Sequence, residues 1–254
     1  DQNLRWAAFN RTPDALTAAV VVTNGNGLAL RVGTAPSGSP VTALTPVAGI
    51  KPTSPPAWLP GSETGLVATD NGLYAFGAAG QPRRVELPTG VSGPISAVAT
   101  APDGQRIALV AGKKLYVVPV SVGENGVPTL WTERRLDLPL SDPTAVAWSS
   151  ETALSVGGAD KTGAQAIFDV TVDGARRNQR IKDVQGEITM IAAYPESVVL
   201  GRPSTVLYQA DDVIWLARGG LSTQLDRSAL EGETATPSPG AEEPSEPTSP
   251  FFVY

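Results

Sequence analysis

Short apolar runs recur along the whole sequence and are separated by glycine, proline, asparagine or aspartate. The runs are about four to eight residues long, and none shows the 3.6-residue period of an amphipathic helix. Runs of this kind between turn-forming residues are typical of β-strands. Dipeptides such as Asn71-Gly72 and Asp103-Gly104 supply the positive φ angles that tight hairpin turns need. The pattern therefore predicts an all-β fold.

The predicted strands form a repeat of about 45 residues. Five copies align on the residues Phe9, Trp58, Thr100, Trp148 and Tyr194. Each copy continues with a second apolar strand, a third strand and a short polar strand, such as RRVEL from Arg83; in the first copy PVTAL from Pro40 takes that place. Four strands in about 45 residues is the content of one propeller blade. We predict a β-propeller over residues 1–230, with five four-stranded blades, or six if a segment outside this sequence completes another.

The last part of the sequence has a different composition. Residues 231–254 hold five glutamates and no lysine or arginine, whereas the preceding part is nearly neutral. Residues 231–250 are rich in proline, glutamate, serine and threonine, which predicts an acidic linker that forms no core of its own. Residues 251–254 are bulky, so we predict an apolar anchor in which Phe251, Phe252 and Tyr254 dock on this chain or on another molecule.

The sequence contains no histidine and no cysteine. This excludes Ser-His-Asp and Cys-His catalysis, and it excludes metal sites built from those residues. The aspartates fall mainly in predicted turns, so we predict that the protein is not an enzyme and carries no cofactor or metal. A near-neutral body without a basic stripe argues against nucleic-acid binding. A carbohydrate-binding or glycoside-active five-bladed propeller is the alternative, because glycoside hydrolysis needs only two carboxylates.

Three residues are candidate contacts to a protein partner. Trp131 lies in an insertion, residues 123–132, that the other repeats lack, and tryptophan is a frequent interface anchor. Trp58 and Asp142 are the other two candidates, although Trp58 lies at or near the repeat position of Trp6 and Trp148, which favours a packing role for it. Trp58 lies in a proline-rich connection, residues 46–60, and Asp142 lies in the turn 141–143. We expect these three segments to present one face of the ring to the partner.

The repeats also resemble a known family. The runs AVATAPDGQRIALVAGKKLYVVPV from Ala97, TAVAWSSETALSVGG from Thr144 and ITMIAAYPESVVLG from Ile188 are similar to the C-terminal propeller of the actinobacterial LpqB lipoproteins. The resemblance covers most of residues 4–230. It implies an extracytoplasmic protein held at the cell membrane by a lipid anchor outside this sequence, with a further domain upstream. It also implies a protein partner, the extracellular domain of a two-component sensor histidine kinase.

Overall fold

The computed structural model describes residues 3–25, 27–77, 81–123, 126–194, 205–211, 213–218 and 221–225. These residues form five antiparallel sheets, which are the blades of a five-bladed β-propeller. The prediction of an all-β propeller is therefore confirmed, and the blade count is five. Within the described ranges, no helix is long and apolar enough to cross a bilayer.

Each blade is one continuous piece of the sequence. Blade 1 contains β1 (Leu4–Arg11), β2 (Ala15–Asn24), β3 (Gly27–Pro36) and β4 (Thr45–Pro46). Blade 2 contains β5 (Ala57–Trp58), β6 (Gly65–Thr69), β7 (Gly72–Phe76) and β8 (Arg83–Arg84). Blade 3 contains β9 (Ile95–Thr100), β10 (Arg106–Ala111), β11 (Lys114–Val122), β12 (Pro128–Leu130) and β13 (Arg134–Leu136).

The remaining two blades follow the same order from the inner to the outer strand. Blade 4 contains β14 (Leu140–Ser150), β15 (Ala153–Asp160), β16 (Gln165–Thr171) and β17 (Arg177–Val184). Blade 5 contains β18 (Ile188–Tyr194), β19 (Thr205–Ala210), β20 (Val213–Arg218) and β21 (Leu221–Gln224). Because each blade starts on its inner strand, the chain returns from the outer strand to the centre before every new blade.

The core lies between blades rather than inside them. Four clusters of buried side chains join blades 1 and 2, 2 and 3, 3 and 4, and 4 and 5. Middle strands are covered on both faces, and Ile107, Leu109 and Leu154 are fully buried. Inner strands carry small residues such as Ala97 and Ala145 at these contacts, since space is limited near the axis.

Side chains of one blade donate hydrogen bonds to backbone carbonyls of the neighbouring blade. The indole Nε1 of Trp58 donates to the Ala8 carbonyl (3.2 Å), and that of Trp148 donates to the Ala99 carbonyl (3.2 Å). At the matching position of blade 3, the Thr100 hydroxyl donates to the Trp58 carbonyl (2.7 Å). The side chain at the repeat position therefore joins successive blades by a hydrogen bond, and we call this hydrogen bond the latch. Blades 4 and 5 are joined by a hydrogen bond from the Thr144 hydroxyl to the Ile188 carbonyl.

One strand differs from its sequence prediction. The outer strand of blade 1 was expected at residues 40–44, but β4 is Thr45–Pro46 and pairs with Val32 and Arg31. Residues 41–43 instead lie against Gly33, where any side chain would collide with the Ala43 carbonyl. Glycine at position 33 thus lets the loop cross the sheet, and this delays the start of the outer strand.

The ring has two ends, which we define by the inner strands. These strands begin at the upper end and finish at the lower end. In blade 3, Ile95 pairs with Ala111 and Thr100 pairs with Ile107, so the Gly112-Lys113 turn is at the upper end. Val122 and Pro128 pair at the opposite extremity of β11 and therefore lie at the lower end.

Candidate interaction surfaces

Trp131 is an exposed aromatic side chain on the outer edge of blade 3. The fourth strand of this blade is interrupted, so that β12 and β13 both pair with β11 and residues 131–133 lie between them. The Trp131 amide donates to the Pro119 carbonyl (3.0 Å), and its indole Nε1 donates to the Ser121 hydroxyl (3.2 Å). The side chain is nevertheless 57% exposed. An irregular edge strand thus fixes the backbone and directs the indole ring outward.

The hairpin that carries Trp131 is attached to the neighbouring blade. The Thr64 hydroxyl of blade 2 donates to the Gly126 carbonyl of this hairpin (3.2 Å). Val122, at the end of β11, is also exposed. We call the described residues 120–123 and 126–132 the blade 3 hairpin. It forms an apolar protrusion at the lower end of the ring. Strand pairing within blade 3 holds one side of it, and the hydrogen bond from Thr64 of blade 2 holds the other.

Asp142 lies at the upper end of the ring. Its Oδ2 accepts a hydrogen bond from Lys113 Nζ (2.8 Å), and this ion pair bridges blades 3 and 4. Both side chains are largely exposed, so the pair contributes little to stability. Lys113 marks the position of Asp142, and Pro119 marks that of Trp131. The extended segment between Lys113 and Pro119 is about 20 Å long at ~3.3 Å per residue. The expectation that Trp131 and Asp142 share one face is therefore wrong, because they lie at opposite ends of blade 3.

Trp58 is part of the core. It is 7% exposed, its indole nitrogen donates to the Ala8 carbonyl, and its ring packs edge-to-face on Phe76 with centroids 5.1 Å apart. A ring buried between two blades is not accessible to a partner. The structure therefore assigns Trp58 to blade packing, although the sequence analysis placed it among the partner contacts.

A shallow groove runs along the upper end between blades 3 and 4. Its volume is about 260 Å³, and it is lined by charged and apolar side chains: Lys113, Lys114, Arg135, Asp137, Leu138 and Leu140. Arg135 is 3.6 Å from Asp137, and Lys113 is paired with Asp142. Two of the three cations that line this groove, Lys113 and Arg135, are thus paired with carboxylates. This groove was not anticipated from the sequence, because its residues come from two consecutive blades.

The ionisable groups of blade 4 serve local structure. Asp169 accepts hydrogen bonds from the Arg180 guanidinium (2.8 Å) and from the buried Ser155 hydroxyl (2.7 Å). The Thr162 hydroxyl and amide hydrogen-bond to Asp160 and lower the pKa of that carboxyl. Thr171 acts in the same way on Asp173, whose pKa is lowered mainly by the Thr171 hydroxyl and then by the Ala175 amide. Asp160 and Asp173 thus stabilise turns, and the sequence predicts a turn at Asp173, whereas Asp169 lies within β16.

The described inner strands carry a single carboxylate, which is Asp142 at the upper end. It is already paired with Lys113. No group of three histidine, cysteine, aspartate or glutamate side chains within the described ranges is arranged to hold a metal ion. The predicted anchor residues Phe251, Phe252 and Tyr254, and the predicted linker 231–250, lie outside the described residues.

Comparison with protein families gives one match. Residues 1–224 match the lipoprotein LpqB β-propeller domain. Lipoprotein LpqB of Streptomyces avermitilis is 30% identical over 235 residues, which cover 86% of this chain and 37% of that protein. Lipoprotein LpqB of Mycobacterium leprae is 28% identical over 180 residues, which cover 66% of this chain and 30% of that protein. The chain thus spans about a third of the length of these relatives.

Solved structures share the fold at low sequence identity. A protein described as a putative TolB from Agrobacterium tumefaciens superimposes with a TM-score of 0.57 at 14% identity, over 88% of this chain and 81% of that chain. A chain of the nidogen/laminin complex superimposes with a TM-score of 0.53 at 12% identity, over 87% of this chain and 77% of that chain. At these identities the likeness shows the propeller architecture alone.

Proposed function

The chain belongs to the LpqB lipoprotein β-propeller family, and from that premise we propose that it is a protein-interaction module rather than an enzyme. A propeller is a rigid ring whose loops and edges can be varied without loss of the fold. The blade 3 hairpin is such a variation. The observation that carries the proposal is Trp131, whose indole ring is 57% exposed on a backbone held by hydrogen bonds.

The geometry around Trp131 supports a role in binding. Exposed tryptophan rings are costly in water and are common among the residues that dominate interface energies. Ordering the ring costs little on binding, because the Trp131 amide and indole nitrogen are already hydrogen-bonded to Pro119 and Ser121. Val122 extends the apolar surface on the same hairpin. The hairpin is thus a preformed patch rather than a loop that must fold on binding.

The family supports a proposal for the location and the partner. The relatives are named lipoproteins, so we place this propeller outside the cytoplasmic membrane, held there by a lipid anchor elsewhere in the full-length protein. The partner we propose is the extracellular domain of a two-component sensor histidine kinase, whose signalling the propeller would modulate. The other domain of the same lipoprotein is a second neighbour of the propeller.

The interaction is tested by calorimetric titration of the extracellular domain of the cognate sensor kinase with this chain. We expect binding by the native chain and a loss of about 2 kcal/mol, close to 30-fold in Kd, for Trp131→Ala. The matched control is Leu221→Ala, which removes an even more exposed apolar side chain from blade 5. Unchanged affinity for Leu221→Ala together with weakened Trp131→Ala supports the proposal.

Two results would contradict it. No binding by the folded native chain would remove the sensor kinase as the direct partner of the propeller. Equal affinity of the native chain and Trp131→Ala would show that the partner binds elsewhere on the ring, so that the blade 3 hairpin is not the interaction surface. Circular dichroism spectra of all variants establish beforehand that they are folded.

A further inference from the structure

The indole ring of Trp131 lies on the side of blade 3 that faces blade 4. Successive residues of β11 point to opposite sides of this blade. Val117 belongs to the core cluster shared with blade 4, whereas Val120 belongs to the cluster shared with blade 2. Ser121 is thus on the same side as Val117, and the Trp131 indole nitrogen donates to its hydroxyl (3.2 Å). The exposed ring therefore borders the junction between blades 3 and 4.

Arg134 lies on the same side of blade 3 as the Trp131 ring. It pairs with Val117 across β11 and β13, and its Nη2 donates to the Asp173 carbonyl of blade 4 (2.6 Å). The Trp131 amide is bound to Pro119, which is two positions from Val117, or about 7 Å along β11. Arg134 is nevertheless exposed. An exposed guanidinium is thus held close to the exposed indole ring.

Blade 4 contributes a second arginine to this junction. Arg177 is the first residue of β17 and pairs with Val170, which belongs to the core cluster between blades 3 and 4. Arg177 therefore lies on the side of blade 4 that faces blade 3, and it is exposed. It follows the lower-end turn 172–176, which also binds Arg134. We call Trp131, Arg134 and Arg177 the lower junction patch.

The lower junction patch is positively charged. Within the described ranges, neither Arg134 nor Arg177 forms an ion pair with a carboxylate. The Asp173 carboxylate accepts hydrogen bonds from Thr171 and Ala175, and these lower its pKa more than the Arg134 guanidinium does. The Arg134 guanidinium has further N–H donors besides the one bound to the Asp173 carbonyl. The patch can thus offer donors to an anion, although the whole chain has a net charge of −6.

The edge of blade 3 restricts how a partner can bind to this patch. Addition of a strand needs a continuous row of free backbone N–H and C=O groups. The outer strand of blade 3 is interrupted between Leu130 and Arg134, and Pro128 has no N–H group. Attachment to an anionic lipid surface uses clusters of about four to eight cations, whereas the patch has two. These features favour recognition of a protein partner through its side chains.

We propose that the lower junction patch binds an acidic segment of the protein partner. Carboxylates of that segment pair with Arg134 and Arg177, and an apolar side chain between them packs on the Trp131 ring. Arginine binds carboxylates through two parallel hydrogen bonds, and tryptophan and arginine are enriched among the residues that dominate interface energies. The inference rests on the proposed function, because it defines the chemistry of the partner at the Trp131 surface.

An NMR titration with a synthetic peptide tests this chemistry directly. The probe is the acetylated and amidated peptide Glu-Glu-Leu-Glu-Glu, and the control is Gln-Gln-Leu-Gln-Gln. With the acidic peptide we expect saturable shifts of the Trp131 indole N–H signal and of the Arg134 and Arg177 amide signals, which weaken as NaCl is added. No response of these signals, or an equal response to both peptides, would overturn the proposal.

Two double variants with the same change in net charge locate the binding. Arg134→Gln/Arg177→Gln removes both cations of the patch, and we expect the Kd of the acidic peptide to rise by about 10-fold. The matched control is Arg135→Gln/Lys182→Gln. Arg135 pairs with Tyr116 on the other side of blade 3, and Lys182 lies toward the upper end of β17, so we expect a change of less than about 2-fold. Equal losses in both variants would show that only the overall charge matters and would overturn the proposal.

Two further titrations separate this inference from its alternatives. A response of the Trp131 indole signal to phosphatidylglycerol vesicles, without a response to the acidic peptide, would overturn the proposal in favour of a lipid surface. The sensor kinase domain is then titrated with the same variants. Binding that depends on Trp131 but is unchanged in Arg134→Gln/Arg177→Gln would overturn this inference alone. Specific binding of the acidic peptide without binding of the kinase domain would support the inference and would remove only the proposed kinase.

Discussion

Replacing Trp148 by phenylalanine removes one latch between blades 3 and 4 while keeping an aromatic ring in place. The Trp148 side chain is 4% exposed, its indole nitrogen donates to the Ala99 carbonyl at 3.2 Å, and the Arg106 guanidinium lies 5.1 Å from the ring centroid. Phenylalanine keeps the stacking partner for Arg106 and loses the hydrogen bond. The substitution thus removes the hydrogen bond to Ala99 while most of the packing of the ring is kept.

The expected cost has two main parts. A buried carbonyl left without its donor costs about 1–3 kcal/mol. The smaller ring leaves a gap that costs roughly another 1 kcal/mol. We therefore expect Trp148→Phe to lower the free energy of unfolding by about 2–4 kcal/mol. For a domain of this size each kcal/mol corresponds to a change in Tm of about 2–4 °C, so Tm should fall by roughly 5–15 °C.

The assay is urea and thermal unfolding followed by far-UV circular dichroism, which does not depend on tryptophan fluorescence. The matched control is Trp131→Phe, the same chemical change at an exposed residue, for which we expect less than about 0.5 kcal/mol. If the two variants were equally stable, the hydrogen bond from Trp148 to Ala99 would not secure the junction.

Three further predictions concern packing, charge and pH. Gly65→Ala should lower the free energy of unfolding by about 1–3 kcal/mol, because a side chain at Gly65 would collide with the Phe76 ring, and a urea titration measures this. Asp142→Ala should change the free energy of unfolding by less than about 1 kcal/mol, and the difference should vanish in 1 M NaCl. A larger loss that persists in salt would show that the exposed ion pair with Lys113 does stabilise the fold. The pKa values of Asp160 and Asp173 are lowered by hydrogen bonds in the folded state, so these groups add stability above the ordinary aspartate pKa of 3.8 and lose it as pH falls through their folded pKa values. The double variant Asp160→Asn/Asp173→Asn should therefore lose less stability between pH 5 and pH 3 than the native chain, as measured by urea unfolding at several pH values.

The repeat made the architecture predictable. Short apolar runs, turn dipeptides and a repeat of about 45 residues define the blades, and Gly104 and Gly174 have the positive φ angles that their Asp-Gly pairs suggested. Where the position of a strand depends on a tertiary contact, the sequence pattern does not locate the strand. The loop that crosses Gly33 is an example, because nothing in residues 40–44 shows that they leave the sheet.

The candidate surface was only partly predictable. The insertion identified Trp131 as an unusual residue, and the structure places it on the surface. For Trp58 the repeat position indicates packing and the proline-rich connection indicates a partner contact, and the buried ring agrees with the first. The separation of Trp131 from Asp142 was accessible from the sequence. The first residue follows the third strand of a blade and the second lies at the start of an inner strand, and such positions lie at opposite ends of an up-and-down sheet.

The continuity of each blade has a consequence for folding. Every strand pair in the described residues lies within one blade, and the hydrogen bonds between neighbouring blades cited above run from side chains to backbone carbonyls. Strand pairing therefore closes only short loops of chain, and the contact order of the sheets is low for an all-β protein. Each sheet can pair from its own hairpins, but its apolar faces are buried only when neighbouring blades pack on it, so docking of the blades completes the fold. The order of those docking events is then set by side-chain packing rather than by the exchange of strands.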